Sequence, residues 1–364
     1  MYNYNKMNKV ITEEYIELTN KKFKYHKKLA IFDIDDTIIE TKSGAKFAKD
    51  ENDWKIKFTN LNRILNSLKE QKFSIIFISN QKGLNDIDKI NKWIIKINNL
   101  QKLINLNIKV FASLGDNIYR KPNTGFFELI KDNSDKRIKM SESFYIGDAA
   151  GRKDDFSDSD IKFALNCSLK FMLPEIFFEE INFNPSLFLD NKLDLPKNIK
   201  DIVLPPKNIN ILELNAKIKT MIIMVGMPGC GKSSLSNKLD NYVRINMDSL
   251  KTMNKCLTMC ESLLKTNQNI IIDNTNPDKK SRSKYIELAK TYNYKIKIIK
   301  FETTEEICKH NVKYRLIKGG ANIPEIVFRV YKKYYEEPTD DEGEIISYLP
   351  NYLENKDELY YKYY

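Results

Sequence analysis

Leu29-Ala30-Ile31-Phe32-Asp33-Ile34-Asp35-Asp36-Thr37 decides the reading of the first half of the chain. An apolar run stops abruptly at a cluster of carboxylates. Three later runs behave alike: Phe73 to Ile78 ends in Ser79-Asn80, Val110-Phe111-Ala112 precedes Arg120-Lys121-Pro122, and Phe144-Tyr145-Ile146 ends in Gly147-Asp148. Helical patterns lie between them, at Leu61 to Lys69 and Asp88 to Leu106. Buried strands alternating with helices predict a parallel sheet. In such sheets ligands bind beyond the carboxyl ends of the strands, and all four polar clusters fall there. Ahead of Leu29 the chain reads as a polar, helix-leaning start.

Working outward, the pattern loosens from Pro174 to about Lys219, with Pro185, Pro196, Pro205 and Pro206 among many Asn and Asp. This predicts a connection between domains. Alternation then restarts with strands at Met221 to Val225, Asn269 to Ile272 and Lys295 to Phe301, a helix from Lys232 and another near Lys279 to Tyr292. The expected architecture is α/β in two domains, each a parallel sheet flanked by helices: 1–180, a connecting segment 181–219, and 220–364. A length of 364 residues suits two domains.

No run approaches 18 apolar residues, so no membrane span is expected, and Met1 to Asn8 lacks the apolar core of a secretory signal. Five scattered cysteines, with Cys256 and Cys260 spaced for one helix face, favour a reduced intracellular protein without structural zinc; a monomer is expected. The formal charge of +11 points to a polyanionic partner, although a chain this rich in Lys, Asn and Ile would also arise from an AT-rich genome. Histidine occurs only at His26 and His310. Carboxylates, lysine and divalent metal must therefore carry the chemistry.

Asp33 and Asp35 are two apart and share a strand face, and at a turn they can converge with Asp148. Asp33 is the candidate nucleophile toward phosphorus. Asp35 is the candidate acid and base, protonating the leaving oxygen and then activating water. Mg²⁺ is expected at Asp33, Asp35 and Asp148 with a backbone carbonyl among its ligands, while Ser79 and Lys121 grip the phosphate. A lone Asp-x-Asp more often just closes a strand. Four fragments in order at four strand ends argue otherwise, and here the sequence resembles the haloacid dehalogenase superfamily. That family usually has Gly where this chain has Asp36. Asp tolerates positive φ better than most residues, but it adds a carboxylate beside the metal.

Gly226-Met227-Pro228-Gly229-Cys230-Gly231-Lys232-Ser233 fits GxxxxGK[ST] after a strand and at a helix start, the context the motif requires. Gly226, Gly229 and Gly231 shape a loop whose N–H groups cradle ATP phosphates. Lys232 meets the outer phosphates, Ser233 the Mg²⁺, and Ser234 is a further ATP contact. Asp248, just beyond Val243-Arg244-Ile245-Asn246, is a candidate base for an acceptor hydroxyl or, alternatively, a helix cap. Asp273 could assist metal or acceptor. Lys313 and Arg315 fall on a helical lid, where Arg315 could neutralise developing charge or simply belong to an exposed cationic face.

Longer strings carry a narrower resemblance: Phe144 to Arg152, Phe163-Ala164-Leu165-Asn166, Pro174 to Phe178, Asp273-Asn274-Thr275-Asn276-Pro277 with Ser281-Arg282, His310-Asn311 and Ile323-Pro324. Together they resemble the polynucleotide kinase 3′-phosphatase family over nearly the whole chain. The resemblance implies an aspartyl-phosphate phosphatase acting on 3′-phosphates and an ATP-dependent 5′-hydroxyl kinase, with a ligase acting downstream. Asp33, Asp35, Asp148 and Asp248 then take the roles above. The phosphatase-first order resembles the animal DNA-repair members, so DNA ends are favoured over RNA ends. An RNA end-healing protein and a degenerate nucleic-acid-binding module are the alternatives. The stretch before Asp33 is too short for the phosphopeptide-binding module of the animal members. The family also has Arg where this chain has Met247, so a contact is either lost or moved to Arg244.

Overall fold

Leu29 and Ile31 pack with Ile76, Ile78 and Phe111 on one side, while Ala30 and Phe32 pack with Ile75, Phe77 and Val110 on the other. Successive side chains on a strand point to opposite faces, so a strand apolar at every position belongs inside a sheet covered on both sides. The computed structural model describes residues 7–179, 194–209, 214, 219–354 and 356–364, and it places this strand there. The chain divides between Lys197 and Asn198 into two units, with Tyr363 and Tyr364 belonging to the first.

The first unit contains β1 (Asn8–Ile11), β2 (Tyr15–Thr19), β3 (Lys28–Phe32), a small hairpin of β4 (Ile39–Glu40) and β5 (Lys55–Ile56), β6 (Phe73–Asn80), β7 (Lys109–Ser113), β8 (Phe144–Ile146) and β9 (Lys170–Met172). Its main sheet runs β1-β2-β7-β6-β3-β8-β9. The five strands from β7 to β9 are parallel, and β2 and β1 add an antiparallel edge. The helix-leaning start is thus corrected to two strands. In β2 only Ile16 and Leu18 are buried, a period of two that the surrounding Asn, Lys and Glu obscure. The helix Ile87–Ile104 begins where Asp86 accepts from the Lys89 N–H at 2.8 Å, a side-chain cap. It lays Trp93, Ile97 and Leu100 on the face of the sheet that carries Phe32. Gly125–Asn133 and Ser159–Asn166 cover the opposite face through Phe126, Ile130, Ile161 and Phe163.

Register sets the site. Phe32 pairs with both Phe77 and Ile146, so Asp33, Ser79 and Asp148 all emerge within two residues of one line across the strand ends.

The second unit repeats the logic with β10 (Thr220–Val225), β11 (Val243–Ile245), β12 (Ile270–Ile272), β13 (Lys295–Phe301) and β14 (Glu344–Tyr348), all parallel in the order β11-β12-β10-β13-β14. Met221, Ile223 and Val225 face one core, and Ile222 and Met224 face the other. Ile272 aligns with Ile223 and Ile245, which brings the Gly226 loop, Asp273 and Asn246 to Asp248 to the same end of the sheet. Much of the expected connection 181–219 lies outside the described residues. The part from Asn198 belongs to the second unit, where Ile199 is buried with Ile307, Leu349 and Tyr360.

Candidate active sites

In the first unit Lys121 is the centre. It is buried, and its ammonium donates to Asp33 Oδ1 at 2.5 Å, Asp160 Oδ1 at 2.7 Å and Tyr145 Oη at 2.7 Å. Asn80 clamps the Lys121 backbone on both sides, accepting from its N–H at 2.9 Å and donating to its carbonyl at 3.0 Å. An unpaired buried ammonium is costly, and these partners supply the compensation. Burial disfavours the charged lysine, but Asp160 and Asp33 outweigh it and push Lys121 up to about 12. Burial pushes Asp33 well above the usual carboxylate range against the pull of Lys121, with Asp160 and Asp148 adding to the rise. Burial and then Asp160 push Asp148 up to about 6.

Asp33, Asp148 and Asp160 each offer an oxygen within 4.8 Å of the others. Three carboxylates against one ammonium leave excess negative charge, and hard oxygen donors suit Mg²⁺. The residues therefore fit a divalent cation. Asp35 was expected among them, but its carboxylate is not in this group. Its Oδ1 accepts from Lys96 Nζ at 3.0 Å and its Oδ2 from Gln81 Nε2 at 2.7 Å, and Gln81 also donates to Ser79 Oγ at 2.8 Å. Asp160 stands in the cluster instead, and sequence reasoning missed it. A Cβ on Gly147 would lie 2.4 Å from Asp160 Oδ2, so glycine is what admits this carboxylate beside Asp148. Asp36 adopts φ of +55° and accepts at its carbonyl from Lys57 Nζ at 2.6 Å. It is exposed and outside the carboxylate group.

In the second unit the glycine loop opens onto a cleft of ≈ 900 Å³ lined by Gly229, Gly231, Lys232, Ser233, Ser234, Asp248, Asp273 and Arg315, among others. Gly229 has φ of +84°, and a Cβ there would meet the Cys308 carbonyl oxygen at 2.3 Å; only glycine fits. Gly226 donates its N–H to Thr275 O at 3.2 Å. Lys232 is buried, with its ammonium on the carbonyls of Gly226 at 2.7 Å and Met227 at 2.8 Å. Asn311 and Tyr352 hold the loop from outside, donating to Gly229 O at 2.8 Å and Cys230 O at 2.7 Å.

Asp248 is exposed on the cleft wall. It is not the cap of its helix, because Asn246 caps it by accepting from the Asp248 N–H at 2.8 Å. Arg244 donates to Asp273 Oδ2 at 2.6 Å and to Ser233 Oγ at 2.9 Å. It thus braces the loop serine rather than standing free toward an acceptor. Met247 lines the cleft at 40% exposure. On the helix Glu305–Ile317, Arg315 reaches the cleft wall, whereas Lys313 is exposed and not part of it.

Comparison with known proteins matches residues 28–178 to a family described as polynucleotide kinase 3 phosphatase and residues 221–338 to an AAA domain. The chain is similar to the bifunctional polynucleotide phosphatase/kinase of Schizosaccharomyces pombe, 33% identical over 88% of this chain and 79% of that one. It is 32% identical, over 97% of this chain and 89% of the other, to a protein of Acanthamoeba polyphaga mimivirus that carries the same name provisionally. The polynucleotide 3′-phosphatase of Saccharomyces cerevisiae is 32% identical, over 40% of this chain and 85% of its own length.

Proposed function

The chain belongs to the bifunctional polynucleotide phosphatase/kinases, and from that premise we propose that its first unit removes 3′-phosphates from DNA ends while its second phosphorylates 5′-hydroxyls from ATP. One observation carries this reading: a single chain holds both a carboxylate cluster around a buried lysine and a glycine loop opening onto a nucleotide-sized cleft.

In the first reaction Asp33 attacks phosphorus and becomes an aspartyl-phosphate. Asp35 gives a proton to the departing 3′-oxygen, then takes one from the water that releases inorganic phosphate. Ser79, at the end of β6, and Lys121, whose backbone Asn80 holds in the loop after β7, bind phosphoryl oxygens. Asp33, Asp148 and Asp160 would hold Mg²⁺, which when bound supplies neutralisation of phosphoryl charge. In the second reaction the loop N–H groups and Lys232 bind the ATP phosphates. Ser233, with Asp273 assisting, would hold the accompanying metal, Asp248 takes the proton of the 5′-hydroxyl, and Arg315 offsets charge on the transferring group. The products, a 3′-hydroxyl and a 5′-phosphate, are the ends a ligase joins.

Labelled ATP offered with matched DNA and RNA duplexes bearing 5′-hydroxyl and 3′-phosphate ends tests the assignment through side-by-side kcat/KM values. DNA should be preferred in both reactions, and KM for the oligonucleotide should rise with salt while KM for a small aryl phosphate should not. A clear RNA preference in both halves would replace DNA with RNA as the substrate.

A further inference from the structure

The helix Ile87–Ile104 presents Trp93, Ile94, Ile97, Leu100 and Ile104 to the core of the first unit, and one lysine, Lys96, is buried on the same helix at 8% exposure. Burying an ammonium among apolar side chains is costly unless it is paired. Among the described residues its carboxylate partner is Asp35, at 3.0 Å. Asp35 itself has 47% of its side chain exposed, and a short carboxylate in that setting would otherwise sample several rotamers. Both of its oxygens are instead taken, Oδ1 by Lys96 and Oδ2 by Gln81. Gln81 is in turn tied to Ser79, which the reading above places at the phosphate.

We propose that Lys96 and Gln81 are positioning residues that fix the direction of the Asp35 carboxylate for proton transfer to the leaving 3′-oxygen. The proposal rests on the acid/base reading of Asp35 given above. Lysine can only donate, so Oδ1 stays with the ammonium. The glutamine amide offers both N–H and C=O, so it can face Oδ2 whether or not that oxygen carries the proton. In the first half-reaction the Oδ2 proton passes to the 3′-oxygen as its bond to phosphorus breaks and the Asp33–phosphorus bond forms. In the second, water adds to phosphorus, its proton returns to Oδ2, and the Asp33–phosphorus bond breaks to release phosphate.

The leaving group tests this. A 3′-alkoxide needs the proton, whereas 4-nitrophenolate leaves without one, and kcat/KM reports the step in which the leaving group departs. In the full chain, Lys96→Met should lower the ratio of kcat/KM for a 3′-phosphorylated oligonucleotide to that for 4-nitrophenyl phosphate by roughly 10-fold or more, part of the 10²–10⁴ that a placed acid contributes. Lys96→Arg should recover most of the ratio, and Gln81→Met should lower it less. If the two substrates lose activity in parallel and the ratio stays at the wild-type value, the residues are merely structural and the proposal is overturned. Should Lys96→Met fail to fold by circular dichroism, Gln81→Met, at a half-buried position, carries the same ratio test. Asp35→Asn is the reference. If it leaves the ratio unchanged, the acid reading falls and takes the proposal with it; if it lowers the ratio while Lys96→Met and Gln81→Met do not, the positioning proposal alone falls.

Discussion

Lys121 in the first unit is buried and already bonded to Asp33, Asp160 and Tyr145, whereas Asp248 and Arg315 in the second stand exposed on the wall of an open cleft. The first site concentrates charge in a region of low dielectric, so its members must satisfy one another whether or not substrate is present. The second opens a glycine loop, a feature of the backbone that the fold supplies anyway, onto its cleft, and Asp248 and Arg315 stand apart from one another on the wall. Stability and turnover should therefore be coupled in the first unit and separable in the second.

The largest effect is expected where that separation is sharpest. Asp248→Asn should lower 5′-phosphorylation by roughly 10²-fold or more, with ATP affinity and melting temperature unchanged; a drop in melting temperature would break the contrast. Asp160→Asn should lower 3′-phosphate release by roughly 10–100-fold and also destabilise the first unit, because Lys121 loses a buried partner. Calorimetry alongside turnover checks the pairing, and lost activity at full stability would contradict it.

The smallest effect concerns pH. Asp148 is raised from 3.8 to about 6, so its protonated form is favoured in the folded state. That contribution is complete below the unfolded value and is lost as pH rises through about 6. The gap between the two values corresponds to about 3 kcal/mol at most. In EDTA the first unit should therefore melt a few degrees lower at pH 7.5 than at pH 5, and added Mg²⁺ at pH 7.5 should restore the loss. A pH-independent melting curve in EDTA would show that the carboxylates are not crowded.

What could be read in advance was local. Asp33, Ser79, Lys121 and Asp148 each close or follow an apolar run, and the glycine loop is one unbroken string, so strand ends and motif coincided. Asp160 was hidden because its position depends on Gly147 lacking a Cβ and on Lys121, 39 residues away. In the sequence, Asp158-Ser159-Asp160 reads only as a helix start. Lys96 carried a fainter signal, a lysine among the mostly apolar residues on the core side of its helix. Arg244 could not be assigned because its partners, Asp273 and Ser233, meet it only through the register of β11, β12 and β10. The edge strands β1 and β14 have mostly exposed or half-buried residues, so burial never imposed a readable pattern on them.

The central claim is that two independent active sites share this chain. Both activities measured on full-length Asp33→Asn and Lys232→Ala test it most directly. Asp33→Asn should abolish 3′-phosphate release and leave 5′-phosphorylation largely intact, and Lys232→Ala should do the reverse. Loss of both activities from either substitution, in a protein still folded by circular dichroism, would contradict it.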